Sequence, residues 1–126
     1  MRRAVAIIAF AVLAACSSEN FDGVVMEGES FSPEEFTVKV GDAVEWKSSG
    51  GGAHTVTAYG DSLPDGAEFF ASGGARSEQD ARDDLSGGLL IEGETFSVTF
   101  SEPGTYEYFC IPHEQVGMTG TIIVEE

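Results

Sequence analysis

From residue 23 onward, apolar and polar residues alternate with a period of two in short runs, most of them rich in valine, threonine and aromatics and separated by glycine or proline. Successive side chains of an extended chain point to opposite faces, so such runs predict half-buried strands. The pattern places them at 23–27, 35–40, 43–48, 54–58, 95–100, 105–110 and 119–125. With turn signals at 40–42, 50–52 and 102–104, these runs predict an antiparallel sandwich or barrel. In the run 105–110, Tyr106, Tyr108 and Cys110 share one face, and Thr105, Glu107 and Phe109 share the other. Glu107 belongs in water, which turns the Cys110 thiol toward the core.

Residues 60–93 break the alternation, being too polar and too glycine-rich to continue it. Within them, residues 77–85 predict one short helix, with Ser77 as its N-cap and Glu78 and Asp80 in its first turn. The rest reads as a long loop, tied down by Phe69, Phe70, Leu89, Leu90 and Ile91.

The start of the chain follows another rule. Arg2 and Arg3 precede an unbroken apolar run from Ala4 to Ala15, the pattern of an export signal. As a helix the run would rise only about 18 Å against a hydrocarbon core of roughly 30 Å, too little for a permanent span. Its end, Leu13-Ala14-Ala15-Cys16, resembles the lipobox of prokaryotic lipoproteins, in which the cysteine carries lipid and becomes the mature N-terminus. The expected organisation is therefore a signal peptide at 1–15, a lipid-anchored tether at 16–22 and one domain at 23–126. The expected location is the outer face of the cell membrane. At 126 residues the chain has room for a single core.

Without residues 1–15, 22 acidic residues face 4 basic ones. Nucleic acid is not expected as a partner, because the four scattered basic residues make no patch to neutralise phosphates. The acids are scattered from Glu19 to Glu126, as a hydrated surface adapted to high salt requires, rather than gathered on one face to steer a basic partner. In molar salt the Debye length is only about 3 Å, which leaves long-range steering little to do.

With Cys16 assigned to lipid, Cys110 has no cysteine partner, and an exported chain with one spare thiol points to intermolecular pairing, a nucleophile or a metal ligand. Its neighbours decide among these. His113 and Met118 follow within nine residues, and the only other histidine, His54, stands at the start of a strand after three glycines. Two imidazoles, a thiolate and a thioether form the donor set of copper electron-transfer sites. Copper(I) favours soft sulfur and copper(II) favours nitrogen; a rigid mixed set suits neither fully and keeps reorganisation small. Structural zinc usually takes two or more cysteines, and haem attachment needs a Cys-x-x-Cys-His run that is absent. Met26, in the first strand, is assigned to packing.

Cys110-x-x-His113-x-x-x-x-Met118, between Gly104-Thr105-Tyr106 and Gly120-Thr121-Ile122, resembles the ligand loop of the cupredoxins, the type I blue copper proteins of the plastocyanin kind. Val44-Glu45-Trp46 and then His54-Thr55-Val56 match the family's upstream half. The run from Leu63 to Phe70 and the acidic composition further resemble the halocyanins of halophilic archaea. The resemblance implies an all-β Greek-key β-sandwich of seven to eight strands with one short helix in a long loop. It implies one copper, held by His54, Cys110 and His113 with Met118 axial, in a one-electron carrier that is not an enzyme. It also implies an apolar docking patch near the second histidine, for which Ile111, Pro112, Val116 and Gly117 are the candidates. Phe109 stands where some members carry a tyrosine beside the cysteine.

The expected partners are redox proteins, membrane-bound respiratory complexes foremost, with the chain itself a monomer. A copper-binding or copper-delivery lipoprotein is the alternative, weakened by the lack of methionine- or histidine-rich tracts. Mass spectrometry of the mature N-terminus should find Cys16 first and lipidated. A chain starting elsewhere, or an unmodified Cys16, contradicts the anchor.

Overall fold

The computed structural model describes residues 21–126; the predicted signal peptide and Cys16 lie outside the described residues. Eight strands form in chain order: β1 (Val24–Glu27), β2 (Ser30–Ser32), β3 (Glu35–Lys39), β4 (Ala43–Ser48), β5 (Thr57–Ala58), β6 (Thr95–Thr99), β7 (Gly104–Phe109) and β8 (Thr119–Glu125). They make two four-stranded sheets, ordered β2-β1-β4-β6 and β3-β8-β7-β5. One α-helix, α1 (Glu78–Asp83), lies in the long excursion, capped by the Ser77 hydroxyl, which accepts from the Asp80 amide at 3.1 Å. The all-β sandwich is therefore as expected, and so is the single short helix.

The sheets are mixed rather than purely antiparallel. β1 pairs in parallel with β4, and β3 with β8, while the remaining ladders are antiparallel. The cause is that the chain changes layer after β2 and again after β3, so a strand's sheet partner is seldom its neighbour in sequence. β2 escapes the alternation signal because it is three residues long and buries only Phe31. The run 54–58 pairs as a strand only at Thr57 and Ala58, preceded by one isolated bridge from His54 to Leu90. All five of its residues are buried, because β7 lies on one side and the excursion on the other. Ser72 and Val56 exchange two bonds across this edge, the Ser72 amide donating to the Val56 carbonyl at 2.7 Å and the Val56 amide to Ser72 Oγ at 3.1 Å. The excursion thus covers an edge that would otherwise offer unpaired backbone to another chain. Phe70 and Leu90 tie it to the core and Phe69 packs against that core, whereas Leu89 and Ile91 flank the bridging Leu90 and point to solvent.

Between the sheets, Val24, Met26, Phe31, Val44, Trp46, Tyr106, Tyr108, Ile122 and Val124 form one core, and Cys110 and Met118 belong to the same cluster. Met26 is a packing residue, as expected. Phe109 departs from the alternation: it lies on the face of Glu107 yet is fully buried. Tyr59 stacks on its ring at a centroid distance of 4.3 Å, and the Arg82 guanidinium lies 4.4 Å from its centroid. The excursion covers this end of the outer face, which a two-residue period does not register.

Tyr108 fits because Gly120, its partner on β8, has no side chain: a Cβ there would collide with the phenol oxygen and ring. That phenol is buried without a hydrogen-bond partner. Gly120→Ala should destabilise the fold by about 1–3 kcal/mol through overpacking. Tyr108→Phe, which removes the colliding oxygen and an unsatisfied polar group, should recover part of that loss in the double variant. Denaturant midpoints of the two single variants and the double variant check this; additive losses contradict it.

Candidate metal centre

Cys110 is the first residue after β7, and a 3₁₀ helix over Ile111–Val116 carries the chain round to Met118 and β8. Pro112 at the start of that helix and Gly117 at its end fix the turn, Gly117 taking a left-handed φ of 87° that a side chain would resist. The backbone closes on itself. The Cys110 amide donates to the Met118 carbonyl at 3.0 Å, and the Met118 amide donates to the His113 carbonyl at 3.2 Å. Three of the four predicted donors thus stand on one tightly bonded loop whose two ends are neighbouring strands.

His54 stands 56 residues before Cys110 in the chain but beside it in space. Its ligand nitrogen, Cys110 Sγ and the His113 nitrogen all lie within 4.8 Å of one another. Cys110 Sγ is 3.9 Å from His54 Nδ1 and 3.4 Å from His113 Nδ1, and the two imidazole centroids are 5.1 Å apart. His54 Nε2 lies 2.9 Å from the Gly50 carbonyl. With a proton on Nε2, that bond fixes the tautomer that leaves Nδ1 free toward the cysteine. His54, Cys110 and Met118 are fully buried, while His113 is half-buried.

Thr55 holds the thiol in place with two groups. Its amide donates to Cys110 Sγ at 3.4 Å, and its Oγ1 accepts from the Ile111 amide at 2.8 Å. The hydroxyl bond was not legible, since a threonine inside a β-like run gives no sign that its side chain will meet a loop 56 residues on. Thr57 supports it in turn, donating its hydroxyl to Thr55 Oγ1 at 3.2 Å. Burial raises the Cys110 thiol above its ordinary range, and the bond from the Thr55 amide opposes that shift by favouring the thiolate.

A buried, single-sided cluster of one thiol and two imidazoles, with a methionine buried at the end of the same loop, fits copper. Among the described residues no carboxylate joins the cluster, as a hard cation would require, and no second thiol, as structural zinc usually would.

The model for copper-binding proteins of the plastocyanin/azurin family matches residues 18–125. The chain belongs to that family. It is 39% identical over 97 residues to plastocyanin B'/B'' of Nicotiana tabacum, covering 77% of this chain and 89% of that one. Among solved structures it resembles a reduced amicyanin variant, with 28% identity, a TM-score of 0.59 and coverage of 81% of this chain and 79% of the other. It also resembles a copper-containing nitrite reductase of Thermus scotoductus, with 28% identity and a TM-score of 0.62, covering 82% of this chain but only 22% of that one. In this family member the four residues His54, Cys110, His113 and Met118 form a single copper site.

Near the site, Pro112, Val116 and Gly117 are exposed and Ile111 is half-buried. Gly52 lies beside His113, where a Cβ on it would stand 3.9 Å from His113 Cε1. Pro112 carries no N–H and so offers the sulfur no bond, whereas the Thr55 amide donates one. Pro112→Ala introduces a further possible donor to the thiolate and should raise the reduction potential; an unchanged or lowered value in voltammetry contradicts this.

Proposed function

We propose that this protein is a one-electron carrier, held at the outer face of the membrane by lipid on Cys16, that passes electrons between membrane-bound redox complexes and turns over no substrate. The observation that carries the electron-transfer reading is the mixed donor cluster itself, preassembled within 4.8 Å and buried except at the His113 edge. When bound there, copper supplies one-electron exchange between its two oxidation states. The chain's own residues do the rest. Thr55 fixes the sulfur, the Gly50 carbonyl fixes the His54 ring, and burial keeps water from adding ligands.

Electrons enter and leave through the exposed edge of His113, and the apolar lip of Pro112, Val116 and Gly117 lets a partner approach it closely. Val116 is 60% exposed, a cost that contact with a partner would offset. A nitrite-reductase-like activity is disfavoured, because both histidines of the chain already serve the one centre and none is left for a second copper. Copper delivery is disfavoured by the depth of the donors, since exchange needs ligands that a recipient can reach. The acidic surface suits a halophilic source and a halocyanin-like carrier.

The test is colour. Copper(II)-loaded protein should show the intense blue charge-transfer band of a thiolate–copper bond, abolished in Cys110→Ser, and should be reduced by purified respiratory complexes in a difference spectrum. A colourless loaded protein overturns the electron-transfer reading, and a blue protein that no membrane complex reduces overturns the proposed partners.

A further inference from the structure

In a chain with 22 acidic residues and 6 basic ones, both ion pairs among the described residues belong to Arg82, on helix α1. Its Nη1 lies 2.7 Å from Glu114 Oε2 and its Nη2 3.3 Å from Glu114 Oε1, a two-pronged bond to the ligand loop. Its Nε bonds Glu78 Oε2 at 2.9 Å, which aims the guanidinium from its own helix. The same guanidinium lies 4.4 Å from the centre of the Phe109 ring, on which Tyr59 stacks. Tyr59 in turn points its hydroxyl at Glu114 Oε1, 3.5 Å away.

The two loop-side residues of this network have a particular place in the chain. Phe109 directly precedes Cys110, and Glu114 directly follows His113. One cation therefore touches the residue on each side of the segment that holds both donors. A lone exposed ion pair contributes little. This one is bidentate, with both side chains about two-thirds covered, at 32% and 31% exposure, and is backed by a buried ring.

We propose that Arg82 is a positioning residue for the copper site, clamping the segment from Cys110 to His113 from outside so that the two donors keep their spacing before metal arrives. The excursion of residues 60–93 then does more than cover an edge strand: it delivers the clamp. The idea uses the copper ligands but is independent of the carrier's partners and of the membrane anchor.

Amide hydrogen exchange on the metal-free protein, paired with the spectrum of the copper(II) form, tests this. Gly117 and Met118 donate to the Glu114 and His113 carbonyls at 2.9 Å and 3.2 Å, so their exchange reports opening of the 3₁₀ helix. In Arg82→Met their exchange should quicken about ten-fold or more while amides in the β3–β8 ladder keep their rates. The copper(II) electronic and paramagnetic resonance spectra should shift in the same variant. Arg82→Lys, which keeps the charge but not the fork, should restore part of both. Glu114→Gln, close in shape to the native side chain, should reproduce the pattern and add little to Arg82→Met, and it carries the test alone if that variant does not fold. Unchanged exchange at Gly117 and Met118 overturns the proposal. So does equal acceleration throughout β3–β8, which marks mere global destabilisation, and so does a loosened loop whose copper spectrum stays native. Because the exchange measurement needs no metal, a failed clamp is distinguishable from a failed copper site.

Discussion

The hydrogen bond from the Cys110 amide to the Met118 carbonyl is the constraint on which the site depends. It continues the β7–β8 pairing by one residue beyond the last strand pair, Phe109 with Thr119, and so makes the ligand loop an extension of the sheet. Between its two ends the chain has room for only a short 3₁₀ helix, whose geometry decides where His113 stands. The thiol inherits the rigidity of the central core, since Cys110 and Met118 pack in the same cluster as Trp46, Tyr108 and Ile122. A loop on the surface of a sandwich is ordinarily its most mobile part; here it is bonded at both ends and packed from beneath.

The other histidine, His54, arrives by a different route, and the contrast explains the division of labour in the molecule. His54 sits on the covered edge of the second sheet, held by paired bonds with Leu90 and by the Gly50 carbonyl. Its neighbour Thr55 reaches across to both the sulfur and the Ile111 amide, so the two ligand-bearing segments are stitched together directly. The polar network is local and satisfied, as a buried network must be if it is to specify one geometry rather than weaken the core. Half-buried His113 is the place where that enclosure is relaxed.

Much of this was legible in the sequence, for reasons that differ residue by residue. The four donors stood out because two histidines and one spare cysteine leave few ways to assemble a soft site, and because Cys110 fell on the apolar face of a clear two-residue alternation. Most strands were legible from the same alternation. Pairing direction was not, since period two is the same for parallel and antiparallel neighbours, and the layer changes that make β1 and β4 parallel leave no mark on it. The alternation turns Phe109 outward for a related reason: its cover, Tyr59 and Arg82, comes from a segment with no strand signal. Thr55 Oγ1 and Arg82 were invisible because their importance lies in contacts with distant loop residues, not in their own neighbourhoods.

If the sheet, the Thr55 stitch and the buried core impose the donor geometry, then the metal accepts a site that is already built. High-resolution crystal structures of the metal-free and copper(II) forms, grown in the same lattice, compare the two states directly. They should show His54, Cys110, His113 and Met118 in the same rotamers and residues 110–118 superposing. A histidine that swings out of the metal-free site, or a ligand loop that refolds when copper binds, would contradict the account.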